Sequence, residues 1–124
     1  MVKEIAREDI LRKIFSSAYS FKKLGYYGSK EKAVNALLKR KGFETYSTSV
    51  VTDLFEQALK VFADTTEFVD NEIKNKTPLS HLNETKVNRI MDKLRESLSR
   101  KNPKVSKEMI QFALNWVYFY YYLR

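Results

Sequence analysis

The chain has 124 residues and a net charge of +8, from 23 Lys and Arg against 15 Asp and Glu. This length predicts a single domain over residues 1–124, in which about two-thirds of the unfolded chain's surface becomes buried. The sequence has no cysteine, which excludes disulfides and thiolate chemistry. His81 is its one histidine, which disfavours a structural zinc site because such sites draw several ligands from Cys and His.

Glycine and proline are scarce and clustered, which is typical of an all-α protein. Between the three glycines and two prolines lie long stretches of helix-forming residues with apolar side chains at helical spacing. We therefore predict an all-α, single-domain bundle of about five helices in an up-and-down arrangement, with approximate bounds of 4–23, 30–41, 50–75, 84–99 and 107–122.

The first two predicted helices are separated by the loop Gly25-Tyr26-Tyr27-Gly28. Ser29 can cap the second helix by accepting a hydrogen bond from one of its first amides. At the other end we expect Gly42 in the left-handed conformation directly after the helix, with Phe43 packed back on the helix. The basic triplet 39–41 then falls in the last turn, where cations interact favourably with the helix dipole.

Regular apolar stripes predict the buried faces of the first and third helices. In the first helix the stripe comprises Leu11, Ile14, Phe15, Ala18 and Tyr19. In the third helix it comprises Val51, Phe55, Ala58, Phe62, Val69 and Ile73. We expect Ser49 to cap the third helix. Glu56, Lys60 and Asp64 lie four residues apart on its opposite face, where they can pair in water.

The fourth and fifth helices have similar predicted starts. Asn83 and Ser106 are the expected caps. Leu82 and Val105 each precede a cap by one residue and can form a hydrophobic staple with the helix that follows. Pro103 ends the fourth helix because proline disfavours helical backbone at the residue before it.

The fifth helix divides into three lines when its residues are placed at intervals of about 100°. The polar line comprises Glu108, Gln111, Asn115, Tyr118 and Tyr122. The core-facing surface comprises Ile110, Ala113, Leu114, Val117, Tyr120 and Tyr121. The third line has the spacing of a seam between two helices packed lengthwise, and it comprises Phe112, Trp116, Phe119 and Leu123.

This third line has two interpretations. The helix can be central in its own bundle and bury the line against the same chain, since helices that are apolar on more than one side are usually buried. Alternatively, the line meets the same line on a second chain, because aromatic residues are enriched in such contacts and a two-fold dimer needs one self-complementary stripe. A membrane span is disfavoured, because the apolar run from Met109 to Leu123 is shorter than the required length of about 20 residues.

No pattern of residues predicts a catalytic or metal site. His81 lies in a polar turn before a helix, and the carboxylates Asp64, Glu67 and Asp70 lack the Glu-x-x-His motif of di-iron bundles. The sequence also has no glycine-rich phosphate-binding loop. We therefore expect no enzyme activity, cofactor, metal or small-molecule substrate. The first ten residues lack the apolar stretch of a signal peptide, so we expect a cytoplasmic protein.

Nucleic-acid binding is the alternative function, since the sequence pI is about 9.6. Cations and aromatic rings are interleaved around the first loop, a combination that suits stacking on single strands. These residues are Lys22, Lys23, Tyr26, Tyr27, Lys30 and Lys32. The fourth helix adds an outward face of Arg89, Lys93 and Arg100. A helix-turn-helix motif is disfavoured, because the connection from residue 42 to 49 is longer than its short turn.

The sequence thus predicts a small, non-enzymatic, intracellular interaction or assembly module. We expect it to form a homodimer or to bind a helical protein partner through Phe112, Trp116, Phe119 and Leu123. The alternative is a sequence-nonspecific nucleic-acid-binding protein, or an accessory subunit of a nucleoprotein complex, that uses its basic helices. Neither function requires a membrane.

Overall fold

The computed structural model describes residues 2–74 and 81–123; the side chains of residues 2–7, 74 and 123 lie outside the described part. The described chain forms five α-helices and no strand, which confirms the predicted all-α class and helix number. The up-and-down order and the single domain stay predictions. The helices are α1 (Val2–Leu24), α2 (Lys30–Leu38), α3 (Thr48–Val69), α4 (Glu84–Lys101) and α5 (Lys107–Val117).

Two helices continue into π-helical turns. Asp70–Lys74 extends α3, and Tyr118–Leu123 extends α5. A π-helical turn closes hydrogen bonds over five residues instead of four, so it is wider than an α-helical turn. Side chains in these segments therefore depart from the 100° spacing of an α-helix.

The chain divides into two compact units, residues 1–60 and 61–124, with the division inside α3. In the first unit α1 packs on α2. Four of the five predicted stripe residues of α1 are buried, and Tyr19 is partly exposed. The ring of Phe21 lies 5.9 Å from that of Phe55, which is 1% exposed. The other large, fully buried residues of this unit are Ile10, Leu11, Ile14, Leu37, Phe43 and Val51.

In the second unit α4 packs on α5. Asn102 is a buried polar residue whose side chain is hydrogen-bonded. Its Nδ2 donates to Oδ2 of Asp64 and to the carbonyl oxygen of Leu98, each at 3.0 Å. Asp64 was expected on a solvated face, and it is instead partly buried by this contact. The buried apolar side chains of α4 and α5 are Val87, Met91, Leu94, Leu98, Met109, Ile110, Ala113, Leu114 and Val117.

Three of the four predicted helix caps are confirmed. The side chains of Ser29, Asn83 and Ser106 accept hydrogen bonds from backbone amides three residues later, at 3.2, 2.9 and 3.3 Å. The prediction for α3 is wrong: Ser47 caps this helix, with its Oγ 3.2 Å from the amide of Val50. Because α3 begins at Thr48, Ser49 lies inside its first turn.

The predicted end of α2 is also wrong. Gly42 has the expected positive φ, +100°, but the helix ends at Leu38 and residues 39–41 follow it. The chain leaves the helix through successive turns, in which the amide of Arg40 donates to the carbonyl oxygen of Leu37 and that of Phe43 donates to Arg40. The basic triplet therefore does not lie in the last helical turn.

Candidate interaction surfaces

The loop between α1 and α2 presents two tyrosines to solvent. Tyr26 is 55% exposed and Tyr27 is 38% exposed. Their ring centroids are 6.4 Å apart and the ring planes meet at 80°. We call residues 25–29 the tyrosine loop.

Backbone conformation sets the positions of these rings. Gly25, Tyr27 and Gly28 have positive φ angles of 73°, 73° and 82°. The amide of Tyr26 donates to the carbonyl oxygen of Ser20 at 3.2 Å and so fixes the start of the loop on α1. Tyr27 is the one non-glycine residue with positive φ in the described chain. Such a conformation costs a bulky side chain on the order of 1–3 kcal/mol.

The lysines predicted to accompany the tyrosines flank this loop. Lys22 and Lys23 lie in the last turn of α1, and Lys32 lies in the first turn of α2; all three are exposed. No described carboxylate is within ion-pair distance of these three lysines. Lys30 differs, since its Nζ lies 3.1 Å from Oε1 of Glu56 on α3. Four lysines therefore flank the tyrosines along the chain, and one of them, Lys30, is paired.

The Lys30–Glu56 pair borders a groove between α2 and α3, with a volume of about 250 Å³. Buried Val34 and Phe55 contribute its apolar lining. Sequence reasoning missed this groove because its walls come from separate helices, and no local spacing relates them. The remaining lining residues are Glu31, Asn35, Thr48 and Thr52.

The predicted basic face of α4 is less favourable for an anionic ligand. Arg89, Lys93 and Arg100 are all exposed, but Nζ of Lys93 lies 3.0 Å from Oε1 of Glu72. Lys93 and Arg100 line a groove of about 370 Å³ that also contains Glu72 and Glu96. Carboxylates thus accompany the cations of α4, whereas Lys22, Lys23 and Lys32 have none within ion-pair distance among the described residues.

At the other end of the described chain, Trp116 is the centre of a cluster of aromatic rings. Its centroid lies 5.3 Å from that of Phe62, in an edge-to-face arrangement. Tyr120 stacks on Trp116 at 5.5 Å, with an interplanar angle of 23°, and Tyr121 meets it edge-on at 5.7 Å. Phe62 is 3% exposed and Trp116 is partly exposed. Trp116 therefore belongs partly to the packing of its own chain.

The predicted interface line is exposed to differing degrees. Phe112 and Trp116 are partly exposed, Phe119 is 66% exposed, and the side chain of Leu123 lies outside the described residues. We call Phe112, Trp116 and Phe119 the C-terminal aromatic surface. The inward placement predicted for Tyr120 is wrong, since this residue is 37% exposed. The reason is the π-helical turn that begins at residue 118, which changes the angular spacing assumed on the wheel.

The residues considered for chemistry are His81 and three carboxylates, Asp64, Glu67 and Asp70. His81 is exposed in the short turn before α4. No group of three His, Asp or Glu residues within the described ranges could hold a metal ion. Asp64 is engaged by Asn102, and Glu67 is exposed. Nor does any helix in these ranges combine the length and apolar character that crossing a membrane requires.

Comparisons of the chain with protein-family models, with curated proteins and with solved structures find no significant match. The tyrosine loop and the C-terminal aromatic surface are therefore the features of the described chain that bear on function.

Proposed function

We propose that this protein is a non-enzymatic, cytoplasmic interaction module that self-associates through the C-terminal aromatic surface. The observation that supports this most is the exposure of Phe119, which at 66% is the most exposed large hydrophobic side chain in the described part of the protein. Exposed aromatic side chains beside partly buried ones are typical of protein contact sites.

The uncharged segment that carries the C-terminal aromatic surface is the part of the chain where contact with a second copy meets least charge repulsion. Each copy has a net charge of +8, so two copies repel each other over most orientations. The segment from Phe112 to Leu123 contains no Asp, Glu, Lys, Arg or His. Contact through this segment brings no like charges directly together, and it buries the exposed apolar side chains of both copies.

The geometry of the rings also suits a two-fold contact. Trp116 is partly exposed and Tyr120, which stacks on it, is 37% exposed, so aromatic surface remains accessible on the same segment as Phe119. In a two-fold arrangement Phe119 of each copy packs on this aromatic surface of the other, and one surface supplies both halves of the interface. Burying the exposed parts of two Phe119 side chains contributes about 2–4 kcal/mol of association free energy. Edge-to-face or offset ring pairs add roughly 1 kcal/mol each.

Sedimentation velocity over a range of protein concentrations tests this proposal. We expect the wild-type mass to rise towards that of a dimer with concentration, and Phe119→Ser to raise the dissociation constant by roughly 30-fold or more. Leu24→Ser is the matched control: Leu24 is 52% exposed in the first unit, so the variant removes similar apolar area elsewhere. Its dissociation constant should equal that of wild type.

A strict monomer at high micromolar concentration would overturn the proposal, as would equal weakening by Phe119→Ser and Leu24→Ser. Trp116→Ala is a poorer probe because Trp116 packs on Phe62 in its own chain. That variant changes folding stability as well as association. Phe119 separates the two effects, because most of its side chain is solvent-exposed in the monomer.

A further inference from the structure

We propose that the tyrosine loop and the lysines beside it bind single-stranded nucleic acid. In this site unpaired bases stack on Tyr26 and Tyr27, and Lys22, Lys23 and Lys32 contact the phosphates. The site is separate from the C-terminal aromatic surface, and the proposal does not depend on self-association.

The two rings are available for stacking. Tyr26 and Tyr27 are 55% and 38% exposed, and their planes are close to perpendicular, at 80°. In an edge-to-face pair the edge of one ring covers at most one face of the other, so this contact does not block stacking on the other ring faces. Stacking on aromatic faces tolerates any base, which predicts binding with little sequence preference.

The charges beside the rings complement a phosphate backbone. Residues 22–32 contain four lysines and one carboxylate, Glu31. Glu56, on α3, pairs with Lys30 at 3.1 Å. Lys22, Lys23 and Lys32 are exposed and have no described carboxylate within ion-pair distance. The segment from residue 112 to 123 contains no lysine or arginine and so supplies no cation of its own to a phosphate.

The backbone of the loop supports a binding role over a purely connecting one. Tyr27 has φ of +73°, a conformation in which glycine or asparagine costs less free energy. A connecting loop gains nothing from a bulky ring at this position, because the ring is exposed rather than packed in a core. Residues held in sparsely populated backbone conformations cluster at functional sites, ligand-binding sites among them.

Single strands are favoured over duplexes for a geometric reason. Bases in a duplex are already stacked on each other and offer no face to a protein ring, whereas bases in a single strand can be splayed onto it. A duplex can still contact the lysines through its phosphates. Preference for single strands is therefore the property that distinguishes stacking from simple charge attraction.

Fluorescence anisotropy with labelled oligonucleotides tests the proposal. The probes are an oligothymidylate and an oligouridylate of about 15 nucleotides, and a DNA duplex of the same length. We expect both single strands to bind more tightly than the duplex at low salt. The logarithm of the association constant should fall with the logarithm of salt concentration with a slope of about −2, because three lysines contact phosphates.

Two tyrosine variants test the stacking. Tyr26→Ser and Tyr27→Gly should each lower the affinity for single strands by roughly tenfold and leave the duplex affinity unchanged. Tyr27→Gly also separates binding from folding, since glycine adopts the observed φ without strain. Its thermal unfolding midpoint should not fall substantially, so lost binding cannot be attributed to an unfolded chain.

Two charge variants test the phosphate contacts. Lys22→Gln/Lys23→Gln should reduce the magnitude of the salt slope by about 1.4. The matched control is Lys104→Gln/Lys107→Gln, which removes the same net charge from exposed positions before and at the start of α5. We expect the control to leave the slope unchanged.

Three results would overturn the proposal. The first is no binding of either single strand at low salt. The second is equal affinity for single strands and duplex that neither tyrosine variant changes, which would indicate charge attraction alone. The third is a tyrosine variant that lowers the mass in sedimentation without changing oligonucleotide affinity, which would assign the loop to protein contact. Phe119→Ser should retain oligonucleotide binding. The test of self-association and the test of oligonucleotide binding can therefore fail independently.

Discussion

The protein exposes aromatic side chains in two regions that are built differently. In the tyrosine loop, three residues with positive φ place the rings, and lysines flank them. In the C-terminal aromatic surface, the central ring, Trp116, is placed by packing on Phe62 and Tyr120, and the segment from residue 112 to 123 is uncharged. One region therefore depends on backbone conformation and the other on side-chain packing.

The difference shows why aromatic content alone is a poor guide to function. Exposed rings beside unpaired cations complement an anionic ligand that has flat bases, whereas exposed rings without charge complement another apolar surface. The same residue types thus suit different partners, according to the charges that accompany them.

Of the variants that act on one region and not the other, Phe62→Ala is expected to have the largest effect on stability. Phe62 is buried under Trp116, so the variant should lower the free energy of unfolding by about 3–5 kcal/mol. Trp116 is the one tryptophan in the sequence, so its native-state fluorescence reports directly on this packing. Urea denaturation and the emission maximum are the measurements.

Phe55→Ala is the matched control for this prediction. Phe55 is 1% exposed and its ring packs on Phe21, so the loss of stability should be similar. We expect the native emission of Trp116 to shift in Phe62→Ala and to stay unchanged in Phe55→Ala. Equal emission shifts in both variants would contradict the view that Phe62 supports the C-terminal rings.

An intermediate effect is expected from Gly25→Ala, which acts on the backbone of the tyrosine loop. A Cβ added at Gly25 meets no atom within 4 Å, so the cost comes from its φ of +73° alone. The free energy of unfolding should fall by about 1–2 kcal/mol, without a change in Trp116 emission. Chemical denaturation measures this value, and Ser16→Ala on the exposed face of α1 serves as the control. A neutral Gly25→Ala variant would show that the loop does not require its left-handed backbone.

The smallest effect is expected from Glu44→Gln, in the turn after α2. A hydrogen bond from its own backbone amide, and then one from the amide of Gly42, lowers the pKa of Glu44 below its ordinary value of 4.5. Because the folded-state pKa is lowered, the ionised carboxylate stabilises the fold above pH 4.5, and this contribution is lost as the pH falls through the folded-state pKa. The stability difference between wild type and variant should therefore be present at neutral pH and should close in acid. A difference that is independent of pH would refute the role of the charge.

The helices themselves could be predicted because their signals are local. The caps Ser29, Asn83 and Ser106 bond to amides three residues away, so the capping residue and its partner lie in one short stretch of sequence. The start of α3 was misjudged because Ser47 and Ser49 are both good capping residues and the sequence does not rank them. The position of Tyr120 was not predicted because the wheel assumes one helical period, and the chain changes its period at residue 118.

The partners of charged and aromatic side chains could not be predicted, because they are distant in sequence. Glu56 pairs with Lys30 on α2, and Asp64 accepts a hydrogen bond from Asn102. These contacts span 26 and 38 residues. Such partners become neighbours only when helices pack, and helical periodicity contains no information about which helices do so.

The sequence by itself determined the all-α class, the number of helices, the tyrosine loop and the uncharged run at residues 112–123. These properties follow from local propensity, capping and composition, which act over a few residues. Tertiary structure alone decided which lysines are paired, that Trp116 packs on Phe62, and that Phe119 is exposed. Burial is a property of the packed helices, and so the difference between a core ring and an interface ring arises only when the chain has folded.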